Sequence, residues 1–128
     1  MRRLSSRIHG VLDYIVGIFL VLTPWLFGYV TVGAPETWLA IGGGSAVIVY
    51  SLLTDYELGV WRQLEFRAHL WLDGLVGFTL LIWAWLFAAA EWALWMPHLV
   101  AGVLLVVMPL LSEKEPQPRT RITESTRY

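Results

Sequence analysis

Two long segments almost without charge decide what this chain can become. From Ile8 to Leu53 the only charged side chains are Asp13 and Glu36, and from Ala68 to Ser112 they are Asp73 and Glu91. Neither segment holds a Lys or an Arg. Charged residues make up 15% of the 128-residue chain, against about 25% in an ordinary soluble domain. The runs are too long for strands and do not alternate. Backbone in lipid must also satisfy its own hydrogen bonds, which leaves helices. A hydrocarbon core about 30 Å thick needs about 20 residues of helix. The spans fall at Ile8 to Phe27, Thr37 to Leu53, Ala68 to Ala89 and Trp92 to Leu111, the second being short at about 17 residues. The expected fold is all-α, a four-helix transmembrane bundle forming one membrane domain over residues 1–128.

The basic leader Met1 to Arg7 resembles the start of a signal peptide. However, its apolar run continues to Tyr29 with no small-x-small cleavage pattern, so it reads as a permanent span. The same segment has a counterpart later in the chain. Shifted by 60 residues, the chain gives 13 identities in the 51 aligned positions from Arg7 to Glu57. The shared core is His-x-x-Leu-Asp-x-x-Val-Gly, followed by Trp-Leu-Phe. Read without a gap, repeat one covers 7–57 and repeat two 67–112, each a two-helix hairpin. Residues 113–128 form a polar tail, expected to lack fixed structure unless a partner orders it.

Basic residues set the expected sidedness. Arg2, Arg3 and Arg7 precede the first span, Arg62 and Arg67 lie in the middle connection, and Lys114, Arg119, Arg121 and Arg127 lie in the tail. With four spans all fall on one side, so both termini and the tail are expected in the cytoplasm and the chain in a bacterial inner membrane. The two hairpins then share one orientation and the repeat is parallel, not inverted, which lowers the expectation of an alternating-access carrier. Leu58, Trp61 and Leu64 in the middle connection are spaced for a short interfacial helix. Basic residues split over three segments do not suit nucleic-acid binding.

The candidate polar site is His9, Asp13, His69 and Asp73. In each repeat His, Asp and Gly (Gly17 or Gly77) descend one helix face four residues apart. A carboxylate near hydrocarbon must be paired, hydrogen-bonded, protonated or wet. On the structural reading, each Asp bonds its own His, a nearby Arg (Arg7, Arg62 or Arg67) or a backbone group. The functional alternatives are a proton or cation relay and a shallow ligand site. The four side chains could also supply nitrogen and oxygen ligands to Zn or Fe, but i,i+4 spacing is common in helices. No metal or other cofactor is expected. His98 begins the fourth span at the opposite side, where an interface position near Trp95 is expected.

Gly17, Gly77, Gly42, Gly43 and Gly44 are expected to let helices approach closely. Trp25, Trp38, Trp85, Trp92 and Trp95 near one boundary, with Trp61 and Trp71 near the other, read as interface anchors. Trp83 lies deeper. The chain has no Cys and no recognisable nucleophile, zinc-protease or dinucleotide motif.

The run Arg7-Ile8-His9-Gly10-Val11-Leu12-Asp13-Tyr14-Ile15-Val16-Gly17, with Thr23-Pro24-Trp25-Leu26-Phe27-Gly28, resembles the SPW-repeat family of small bacterial integral membrane proteins. The family is named for Ser-Pro-Trp at a helix end. Thr23 replaces the Ser in the first copy, and Trp83-Ala84-Trp85 keeps only the Trp in the second. The resemblance implies a four-span bacterial membrane protein and supplies topology without mechanism. The expected function is therefore a non-enzymatic accessory or self-associating subunit, with membrane lipids and other membrane helices or its own copies as partners and no nucleic acid. The alternatives are a small oligomeric ion or proton transporter using Asp13 and Asp73, or a haem- or quinone-binding subunit.

Overall fold

The computed structural model describes residues 3–30 and 34–116. Four helices follow one another: α1 (Ser6–Leu26), α2 (Ala34–Leu53), α3 (Phe66–Leu86) and α4 (Trp92–Leu111). All four are long and apolar enough to cross a membrane, and the chain is a multi-pass membrane protein. Leu110, Trp71 and Trp85 are more than three-quarters exposed at 78%, 82% and 76%, an apolar surface suited to lipid. Arg2, Thr31, Gly33 and the tail from residue 117, with its three Arg residues, lie outside the described residues.

Local chemistry sets the helix ends. The Ser5 hydroxyl caps α1 by accepting from Ile8 N. Gly28 takes a left-handed φ of 74° just past the end of α1, where a glycine has no Cβ penalty. Pro24 has no N–H to offer the Leu20 carbonyl, and the Thr23 hydroxyl donates to that carbonyl instead at 2.7 Å. This is the physical use of a hydroxyl residue ahead of Pro-Trp. In repeat two Ala84 keeps its N–H, so Trp83 needs no such hydroxyl. The second helix is longer than its apolar run suggested, at 20 residues. Pro35 and Glu36 fall in its first turn, where a missing N–H is harmless and a negative charge is favoured.

Each hairpin is closed by a glycine pair. A Cβ on Gly44 would lie 2.5 Å from the Gly17 carbonyl oxygen, and one on Gly77 2.9 Å from that of Gly102. Gly42 has nothing within 4 Å, and Gly43 barely reaches Leu80 at 3.9 Å. Of the three consecutive glycines, only Gly44 carries the close approach. The structure also corrects the ungapped repeat. Gly102 pairs as Gly44 does, not as Gly42, so the second helices are two residues out of the sixty-residue register. The cause is the turns: 27–33 separates α1 from α2, while the shorter 87–91 separates α3 from α4.

The hairpins pack far more intimately within themselves than against each other. Val16, Leu20, Val47, Tyr50, Leu80, Ala101, Leu105 and Met108 form the shared core. At one end of the bundle Leu4 N donates to Leu111 O, and Glu113 N to Leu4 O. The 54–65 connection packs at this same end. It is not an interfacial helix, because its amides serve α2. Val60 and Trp61 donate to Leu52 O, and Gln63 and Leu64 to Leu53 O, satisfying carbonyls that a helix end leaves open. Arg3, Arg7, Arg62, Arg67 and Lys114, the described basic residues, all belong to the segments gathered at this end.

Candidate functional site

His9 and Asp13 on α1 and His69 and Asp73 on α3 meet between the helices near the end of the bundle that holds the 54–65 connection, all four with 0% exposure. The partners cross between repeats. His9 Nε2 lies 2.8 Å from Asp73 Oδ2, and His69 Nε2 lies 2.8 Å from Asp13 Oδ2. Each histidine is slightly farther from the Asp on its own helix, at 3.1 Å for His9 to Asp13 and 3.2 Å for His69 to Asp73. The result is a closed ring of alternating imidazoles and carboxylates. The expected pairing within one helix is secondary, and no Arg takes part among the described residues. Parallel repeats make this possible, because α1 and α3 run in the same direction and place both His-Asp pairs at one depth.

An outer set of groups fixes the ring. His9 Nδ1 lies 2.7 Å from Ser112 Oγ and His69 Nδ1 2.8 Å from Thr54 Oγ1. Both hydroxyl protons are already committed. Ser112 donates to Met108 O at 2.7 Å and Thr54 to Tyr50 O at 2.6 Å. Each hydroxyl oxygen is thus left as an acceptor, and each histidine carries a proton on Nδ1 and aims Nε2 at the carboxylates. The Tyr50 hydroxyl donates to Asp73 Oδ1. Asp13 Oδ1 has no partner among the described residues.

Aromatic rings seal the loop end. Phe66 stacks on His69 with centroids 5.7 Å apart and meets His9 edge-on at 5.8 Å. Tyr56, from the connection, stacks on Phe66 at 5.8 Å. Burial pushes the Tyr56 phenol above its ordinary pKa, which keeps this cover neutral. Gly10 is required beneath it, because a Cβ there would run into the Tyr56 ring. The Ser6 hydroxyl holds the connection down through the Glu57 carboxylate at 2.8 Å.

The four inner residues are legible in the sequence, whereas Thr54, Ser112 and Tyr50 are not. The available signal was a hydroxyl residue at the end of each second helix, hidden by the register shift. His98 does lie at the other end of the bundle, away from the ring. It is fully buried rather than interfacial, with Nδ1 donating to Leu94 O at 2.8 Å and its ring tilted against Tyr29. Of the seven expected interface anchors, Trp25, Trp38, Trp61, Trp71, Trp85 and Trp92 are exposed, and Trp95 is partly covered. Trp83 stacks on Phe87 at 4.5 Å.

The four inner side chains each offer one ligand atom, and these atoms lie within 4.8 Å of one another. The site therefore holds the donor set of a four-coordinate metal centre. A haem between the two histidines would need both Nε2 atoms freed from the carboxylates that hold them. A family model described as the SPW repeat domain matches residues 7–112. No curated protein and no solved structure matches the chain.

Proposed function

The chain belongs to the SPW repeat family, and on that premise we propose that it is a non-enzymatic accessory or self-associating subunit of a bacterial inner membrane. Its basic end, with both termini, faces the cytoplasm, because positively charged segments stay on that side. One observation carries the reading. Gly42, Ser45 and Ala46 form an outward, exposed stripe on α2, with nothing near Gly42. Most of the remaining exposed helix surface carries bulky apolar side chains. Small residues three and four apart let a second helix approach closely in lipid. The polar ring, by contrast, has no exposed atom to offer a substrate. A relay through Asp13 and Asp73 needs a wet path, and all four ring side chains have 0% exposure.

The partner face is tested by extraction in a gentle detergent followed by native mass spectrometry. The expected species contains this chain together with further copies of itself or one other membrane subunit in fixed ratio. Gly42→Leu with Ala46→Leu should release the chain as a folded monomer. A wild-type chain recovered only as a monomer would overturn the reading.

A further inference from the structure

We propose that the His-Asp ring is a closed divalent-metal site, ligated by His9 Nε2, His69 Nε2 and one carboxylate oxygen each from Asp13 and Asp73. The metal ties repeat one to repeat two inside the membrane. The Proposed function does not depend on it.

Thr54 and Ser112 have spent their protons on backbone carbonyls, so both histidines donate from Nδ1 and turn Nε2 inward. A bare Nε2 facing a carboxylate oxygen sets two acceptors against each other. Something positive must lie between them. Each Nε2 faces two oxygens, at 2.8 and 3.1 Å for His9 and 2.8 and 3.2 Å for His69. One proton on Nε2 points well at only one of its two oxygens. A single cation at the common centre serves all four contacts.

Ligands about 2.0–2.1 Å from a tetrahedral Zn2+ stand roughly 3.3 Å from one another. The nitrogen-to-oxygen contacts of 2.8–3.2 Å are shorter than that, and all four ligand atoms lie within 4.8 Å of one another, so the side chains take up a tetrahedral ion by spreading along the ring and closing across it. Two neutral imidazoles and two carboxylates sum to minus two, which a divalent ion cancels. If the ring holds two protons beforehand, both leave as the ion enters, and the buried charge is unchanged.

Metal-bound imidazoles commonly donate their other N–H to a fixed acceptor, and bound carboxylates are themselves hydrogen-bonded. Both histidines meet the first condition through Thr54 and Ser112, and Asp73 meets the second through Tyr50. Asp13 Oδ1 is buried without a partner among the described residues, so that carboxylate is held only through the Oδ2 that would ligate the ion. The ligand chemistry is nitrogen and carboxylate oxygen in a closed four-coordinate cage. It fits Zn2+, and Co2+ as its spectroscopic substitute, better than the oxygen-seeking Mg2+ or Ca2+. Four protein ligands and no exposure leave no open position, which marks a structural metal.

The test uses the full chain, purified in a non-ionic detergent, stripped with a chelator and dialysed against Zn2+ or Co2+. About one ion per chain should be retained by elemental analysis, and the Co2+ form should show the intense visible bands of tetrahedral coordination. His9→Gln with His69→Gln should lose the ion. Those variants could also fail to fold, so Thr54→Val and Ser112→Ala keep all four ligands as a second arm. Each should bind Zn2+ roughly 10–100-fold more weakly at unchanged stoichiometry. A folded wild-type chain that retains neither ion, or a Co2+ form with the weak bands of six-coordination, overturns the proposal. Unchanged affinity in both hydroxyl variants would overturn it too, because the histidines would then not be the ligands.

Discussion

Asp73 and Asp13 occupy equivalent positions in the two repeats, yet the protein treats them differently. Each gives Oδ2 to both histidines. Asp73 Oδ1 also accepts from the Tyr50 hydroxyl, while Asp13 Oδ1 has no partner among the described residues. The reason is one residue. In the shifted register the position of Tyr50 on α2 is taken on α4 by Met108, which is buried and has no proton to give. Thr54 and Ser112, by contrast, supply the same hydroxyl to both histidines. The ring and its hydroxyl clamps are built twice and the phenol once. Closing the ring therefore requires the clamps in both halves, while Tyr50 is an addition to one.

The largest losses are expected at the carboxylates. Asp73→Ala or Asp13→Ala strands two buried histidines and should cost about 3–5 kcal/mol, read as loss of helical signal on unfolding in mixed micelles. Asp73→Ala should be the worse of the two, because it also strands the Tyr50 hydroxyl. A smaller loss, about 1–3 kcal/mol, is expected for Gly44→Ala, whose Cβ meets the Gly17 carbonyl. The asymmetry itself is sharpened by Tyr50→Phe. It leaves Asp73 in the state of Asp13 and should cost about 1–3 kcal/mol, whereas Met108→Leu should cost less than about 1.5 kcal/mol. Equal costs for these two would remove the distinction between the halves. The smallest effect is expected for Gly42→Ala in the monomer, within roughly 0.5 kcal/mol, measured beside Gly44→Ala in the same micelles.

The four helices and the duplicated His, Asp, Gly stripe were legible because both depend on local sequence: charge-free length, and a four-residue spacing that fixes one helix face. The exchange of partners between repeats was not. Spacing on one helix shows His9 near Asp13, but only the meeting of α1 and α3 brings Asp73 closer still. Thr54 and Ser112 were hidden by the shorter turn at 87–91, which breaks an ungapped comparison beyond the first helix of each repeat. Tyr50 carries no internal signal, having no counterpart. The connection at 54–65 misled for a different reason. Its apolar spacing suits a helix, but the open carbonyls at the end of α2 claim its amides first.

The claim on which the rest depends is that the two repeats exchange histidine-carboxylate partners within the membrane. Solid-state NMR of the isotopically labelled chain in lipid bilayers tests it directly. Nδ1-protonated rings are expected for His9 and His69, with through-space contacts from His9 Nε2 to the Asp73 carboxyl carbon and from His69 Nε2 to that of Asp13. Contacts confined to each helix, with ring protons exchanging freely with water, would contradict it.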